Sequence, residues 1–295
     1  MKRTMLFVLC ALLTILSVST ILPVLAHGGN ANDGSDVEIT PKISVKGPKG
    51  GGKPPPPGPA ATGVIGAPLL ASAQRWAVVI GISDYAGTAN DIQYADDDAI
   101  DMLSALTTVY GYMRNHIKLL ISDYVHENAT RDEIISAISW LRGSEVAGDE
   151  VVFFYSGHGA RSKRQVAIVP YECTASSLIW DVDLKSMFST FETTRIVFIF
   201  DSCYAGGMTD LAASGRIICM ATTENKVAYE TGDLQNGVFT YYFVDQGIVK
   251  GLADTEGTPG VVTVEEAFDY ARANVPIVVP QTPTISDSFV NDMLL

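Results

Sequence analysis

The chain has 295 residues, 47% of them hydrophobic, and a formal net charge of −13 at pH 7. That is enough apolar mass for one sizeable core without a disulfide scaffold. The acidic balance repels phosphate backbones, which excludes nucleic acid as an expected partner and leaves basic peptides compatible.

Lys2 and Arg3 precede an apolar run from Met5 to Leu22, followed by Pro23 and a small-residue stretch ending at Ala26. Residues 1–26 are read as a signal peptide, or as a signal anchor if uncleaved, since the run exceeds a usual signal core. Both readings predict export, as a secreted or envelope-tethered protein, with membrane contact only through this segment. Residues 27–73 are rich in Gly, Pro and Lys around PKGGGKPPPPGPA and read as a disordered spacer. Lys42, Lys46, Lys49 and Lys53 are expected there in exposed backbone, where a protease of basic specificity could release itself.

From residue 74 to 295, short apolar runs alternate with amphipathic segments, the pattern of an α/β domain with a largely parallel sheet. WAVVIGI reads as a first strand buried on both faces. A helix over about 96–109 and a second strand, HIKLLIS, follow. Thr130 and Glu133 form a capping box that opens a helix reaching about Leu141. EVVFFYSGHG is a third strand with its exit loop, and a helix near 181–191 leads to a fourth, RIVFIFDSCYAGG. RIICMAT is a fifth. Helices are predicted over about 238–249 and from Thr263, where Glu266 completes a second capping box, and a short strand over about 285–290 is expected to close the sheet.

Two strand exits carry chemistry. Ligands of open α/β sheets bind beyond the carboxyl ends of the strands. One apolar strand stops at Ser156-Gly157-His158-Gly159 and another at Asp201-Ser202-Cys203-Tyr204. If the strands are neighbours, about 4.8 Å apart, the thiol and the imidazole converge, and a Cys beside a His is a working nucleophile. The cysteine count agrees: with Cys10 in the leader, Cys173, Cys203 and Cys219 remain, so at least one thiol is unpaired in a monomer. Cys219 sits inside an apolar run and Cys173 in a loop, so Cys203 is the candidate.

These two motifs, together with RWAVVIGISDY, YADDDA and NGVFTYYF, resemble the caspase-like cysteine peptidases, most closely the metacaspase and prokaryotic caspase-homologue branch. The resemblance implies an α/β caspase-like fold with a mainly parallel six-stranded sheet flanked by helices on both faces, over 74–295. It implies His158 as base and acid for the Cys203 thiol, and an oxyanion hole from the backbone N–H groups of Gly159 and Cys203. It further implies a pocket for the first substrate side chain lined by Asp201, Asp98 and Ser156, with Asp97 the alternative if the register slips by one. Two carboxylates there select Arg or Lys and reject Asp. Many relatives require calcium, but no regularly spaced ligand loop is visible, so calcium is expected at most as an activator and no metal ligand is named. Only residues 204–215 separate the cysteine motif from the next strand, a departure from the long cleavable linker of caspases. Two alternatives stay open: a clostripain- or gingipain-type relative, and a catalytically idle scaffold that binds peptides.

Overall fold

The computed structural model describes residues 37–45, 61–126, 129–163, 165–255 and 259–295. The leader, Lys46, Lys49 and Lys53 lie outside the described residues. Among those described, no helix is long and apolar enough to cross a membrane.

In chain order the strands are β1 (Glu38–Thr40), β2 (Ile43–Val45), β3 (Arg75–Ile82), β4 (Ile117–Ser122), β5 (Glu150–Ser156), β6 (Gly159–Ser162), β7 (Gln165–Ile168), β8 (Ile179–Trp180), β9 (Arg195–Asp201), β10 (Arg216–Met220), β11 (Tyr229–Thr231), β12 (Asn236–Gly237) and β13 (Thr284–Asp287). The helices are α1 (Ala95–Thr108), α2 (Arg131–Ser144), α3 (Asp181–Phe188), α4 (Val238–Thr240, continued by a π-helical stretch Tyr241–Val249) and α5 (Val264–Val278). Both predicted capping boxes form: Thr130 and Thr263 each accept the backbone N–H of the glutamate three residues on.

The central sheet has six strands in the order β13-β10-β9-β5-β3-β4, parallel except for β13. In β5 every residue is buried, and in β3 every residue from Ala77 to Ile82. Such strands lose water from both faces, which requires helices on each side. One helical group is α1, packed on β3, β4 and β5 and on the π-helical stretch, which also meets α5; the other is α2, packed on β3 and β4 and touching α3. The sequence pattern does not anticipate two smaller sheets, β1-β6-β7-β8 and β12-β11-β2, because their strands are two to four residues long and carry no apolar run.

The expectation of a disordered spacer over 27–73 is corrected for residues 37–45, where β1 pairs antiparallel with β6 and β2 pairs parallel with β11, and for residues 61–66, where the Ala61, Thr62 and Gly63 N–H groups donate to the Asp269 and Asp292 carboxylates and the Gly66 N–H to the Asp292 carbonyl. Lys42, between β1 and β2, is buried, not exposed. Composition misleads here because the 37–45 segment gains order from backbone pairing and ion pairs rather than from apolar burial.

Glu265, in the first turn of α5, is buried and accepts the Met293 N–H at 2.9 Å with one oxygen. Burial, reinforced by Asp287 and Asp292, lifts its pKa from 4.5 to about 8. The folded protein therefore holds this proton while the unfolded chain loses it, so stability falls as pH rises from about 4.5 to 8. Glu265→Gln is expected to flatten that fall and raise the thermal midpoint at pH 8, by roughly 2–4 °C per kcal/mol recovered; thermal scans from pH 5 to 8 check it.

Candidate active site

The strands β5 and β9 are hydrogen-bonded neighbours in parallel register, with Ser156 opposite Asp201. Both motifs therefore leave the sheet at one edge. Gly157 N–H donates to the Asp201 carbonyl at 3.3 Å. Gly159 lies so close to the Cys203 backbone that a Cβ would overlap its carbonyl, so only glycine permits the approach. Gly159→Ala is expected to cost about 1–3 kcal/mol by forced displacement, read as a lower midpoint in denaturant unfolding.

His158 is held from several sides. Its Nε2 lies 2.5 Å from the Asn90 carbonyl oxygen. A carbonyl can only accept, so Nε2 carries the proton and Nδ1 keeps its lone pair. Nδ1 is buried and has no hydrogen-bond partner among the described residues. The Tyr85 ring stacks on the imidazole at 4.2 Å between centroids. His158 N–H donates to the Tyr85 hydroxyl at 2.7 Å, and the Tyr155 hydroxyl donates to the His158 carbonyl at 2.7 Å.

At Cys203 the thiol donates to the Pro41 carbonyl at 3.4 Å, and Sγ accepts the Ala228 N–H at 3.3 Å. Tyr204 follows at φ 62°, a left-handed turn uncommon for a residue with a side chain. Its N–H donates to the Lys226 carbonyl at 2.8 Å. Burial drives the Cys203 pKa up to about 12, against the Ala228 N–H and Lys42. Burial, with the Lys42 charge adding to it, pulls His158 down to about 4, against the Asn90 carbonyl. At neutral pH this arrangement holds a neutral thiol and a neutral imidazole.

The acidic pocket lies beside the pair. Asp98 is fully buried and Asp97 exposed, so Asp98 is the inward residue and the alternative register is not the one adopted. Asp98 accepts the Gly237 N–H at 2.8 Å and the Ser156 hydroxyl at 2.5 Å. Asp201 accepts the Thr240 N–H at 3.1 Å and the Thr240 hydroxyl at 2.8 Å. The ammonium of Lys42 fills the pocket, 3.2 Å from Asp98, 3.1 Å from Asp201 and 2.7 Å from Ser156, and the side chains of all three charged residues are fully buried. Burial works against the Lys42 charge, but Asp201, Asp98 and Glu230 outweigh it and its pKa is raised. Burial and the like charge of Asp201 lift Asp98 to about 7, against the pull of Lys42.

The structure thus brings His158, Gly159 and Cys203 together at one rim, and Ser156, Asp98 and Asp201 into one pocket. Four contributors escape sequence reasoning: Asn90, which acts through its carbonyl, Gly237 and Thr240, which hold the carboxylates, and Lys42. The segment NGVFT, singled out by resemblance, was the available signal for Gly237 and Thr240. Among the described residues, no group of three or more His, Cys, Asp or Glu is placed to hold a metal ion.

A parallel sheet whose adjacent strand exits carry a buried cysteine and histidine defines the class of caspase-like α/β proteins. The family model for the caspase domain matches residues 74–294, and the chain belongs to that family. It is 27% identical over 251 residues to metacaspase-1 of Plasmodium falciparum, covering 73% of this chain and 40% of the relative. It is 29% identical over 228 residues to metacaspase-1 of Ajellomyces capsulatus, covering 69% and 62%. The chain therefore spans less than two thirds of either relative. A crystal structure of a Geobacter sulfurreducens protein superposes with a TM-score of 0.55 at 16% identity, covering 74% of this chain and 95% of that one, a likeness of fold alone.

Proposed function

We propose that the chain is a cysteine endopeptidase that cleaves peptides and proteins after Arg or Lys. The observation that carries this reading is the chain's own Lys42, whose ammonium lies between Asp98 and Asp201 with Ser156 as a neutral contact. A substrate guanidinium or ammonium meets the same array, and an aspartate meets repulsion.

In the reaction, Nδ1 of His158 takes the proton of Cys203 as sulfur attacks the substrate carbonyl carbon. The backbone N–H groups of Gly159 and Cys203 receive the developing oxyanion, each such donor worth about 2.7–4 kcal/mol. Collapse breaks the C–N bond, His158 passes its proton to the leaving amine, and water then hydrolyses the thioester. The Asn90 carbonyl and Tyr85 keep the imidazole in the required tautomer and plane. None of these steps draws on a metal, and calcium enters this reading only as an activator. We also propose export directed by residues 1–26, on the strength of the Lys2-Arg3 start and the apolar run behind it.

Fluorogenic peptides ending in Arg, Lys or Asp, assayed under reducing conditions with and without calcium, test the reading. Release after Arg and Lys is expected. Release only after Asp would overturn the pocket assignment, and no release at all, from wild type or Lys42→Ala, would favour the idle scaffold.

A further inference from the structure

The segment through the cleft is anchored at both ends and in the middle. At one end Glu38 meets Arg161, accepting from Nε at 2.8 Å and lying 2.8 Å from a terminal guanidinium nitrogen. Tyr204 donates to the same carboxylate at 3.0 Å, Thr40 meets the Tyr204 hydroxyl at 2.8 Å, and the Arg161 guanidinium lies over the Tyr204 ring. In the middle, Lys42 fills the acidic pocket. Beyond it, Ile43 N–H donates to the Ala228 carbonyl at 3.0 Å and β2 adds to β11. Thr40 is the ladder partner of Gly159, so the glycine that would cradle an oxyanion already has a neighbour.

The contact at sulfur decides whether this occupant is a substrate. Cleavage after lysine requires the carbonyl of the lysine itself at the nucleophile. The thiol instead contacts the carbonyl of Pro41, the residue before Lys42. Attack there would sever Pro41–Lys42, a bond on the wrong side of the residue in the pocket. The thiol proton is also spent on that carbonyl, which leaves Nδ1 of His158 without its partner.

We propose that residues 38–45 are a built-in competitive inhibitor, which uses Lys42 to occupy the specificity pocket in a threading that withholds a cleavable bond. Resting on the peptidase reading, this adds a regulatory role for a stretch that composition assigns to a spacer. Opening the site requires this segment to leave the cleft, and Lys42 then gives way to a substrate side chain of the same charge. Glu38 adds an outer anchor, its side chain half exposed, so the clamp carries opposite charges at its two points.

The test uses the full chain and two readouts. The first is the rate of Cys203 alkylation by iodoacetamide, followed by peptide mapping, which needs no peptidase activity. The second is kcat/KM on an Arg peptide. Lys42→Ala is expected to raise both at least tenfold and Lys42→Arg to restore the wild-type values. Glu38→Ala leaves the buried ion pairs in place and guards against misfolding of Lys42→Ala; it is expected to raise alkylation about threefold. The free peptide EITPKISV is expected to inhibit Lys42→Ala competitively and be recovered intact, while its Lys-to-Ala version is inert. Unchanged alkylation in both variants overturns the proposal, as does rapid cutting of EITPKISV after its lysine. Faster alkylation without cleavage of any peptide upholds the occlusion and removes the peptidase reading. Cleavage of basic peptides at equal rates in all variants does the reverse.

Discussion

Cys203→Ala is expected to abolish turnover of Arg and Lys peptides, by about 10⁴-fold or more in kcat, the scale seen when a nucleophile acting as a unit with its base is removed. The other two described cysteines cannot substitute. Cys219 is fully buried within β10, and Cys173 lies in the loop between β7 and β8 rather than at the exit of β5 or β9. The loss should appear in kcat with little change in the thermal midpoint, because the Sγ contacts are two long hydrogen bonds. Steady-state kinetics on the variant, freed of occlusion by Lys42→Ala in the same chain, provides the measurement. Retained activity would assign the chemistry to another group.

The second large effect concerns the pocket. Asp201→Asn removes one of two carboxylates while Thr240 can still hydrogen-bond the amide oxygen. Hydrogen bonds to charged groups are worth about 1.5–3 kcal/mol, so kcat/KM for an Arg peptide is expected to fall roughly 10- to 150-fold, mostly through KM. The same carboxylate also holds Lys42 at 3.1 Å. Asp201→Asn therefore loosens the built-in occupant and should raise the alkylation rate of Cys203 even as peptide cleavage falls. A defect of folding would also expose the buried thiol, so the thermal midpoint is read beside both: opposed readouts at an unchanged midpoint identify the pocket. A fall in kcat alone, with KM unchanged, would place Asp201 outside substrate binding.

The central sheet was legible because its strands are buried on both faces and so appear as unbroken apolar runs such as VVFFY and IVFIF. Strand exits located His158 and Cys203, whereas Asp98 came from the resemblance with Asp97 left as the alternative, and only the fold separates buried Asp98 from exposed Asp97. What composition concealed is work done by backbone atoms and by long-range charge. The Asn90 carbonyl fixes a tautomer without any side-chain signature. Gly237 and Thr240 lie well over a hundred residues from Asp98 and reach the pocket only through the fold. Residues 37–45 were read as spacer because Pro, Gly and Lys neighbours carry no hydrophobic period, whereas a lysine seeking two buried carboxylates needs none. The helix expected over 238–249 is α-helical only over Val238–Thr240 and π-helical beyond, a distinction that apolar spacing cannot make.

The most direct test of the thiol–imidazole pair beside an acidic pocket is covalent capture with a peptidyl chloromethyl ketone ending in arginine. The reagent is applied to Lys42→Ala, to the same chain carrying His158→Ala, and to the same chain carrying Asp201→Asn, and the adduct is located by tandem mass spectrometry. One adduct on Cys203, formed at a rate that falls in both double variants, is the predicted result. An adduct on Cys173 or Cys219, or none on a folded Lys42→Ala chain, would contradict the account.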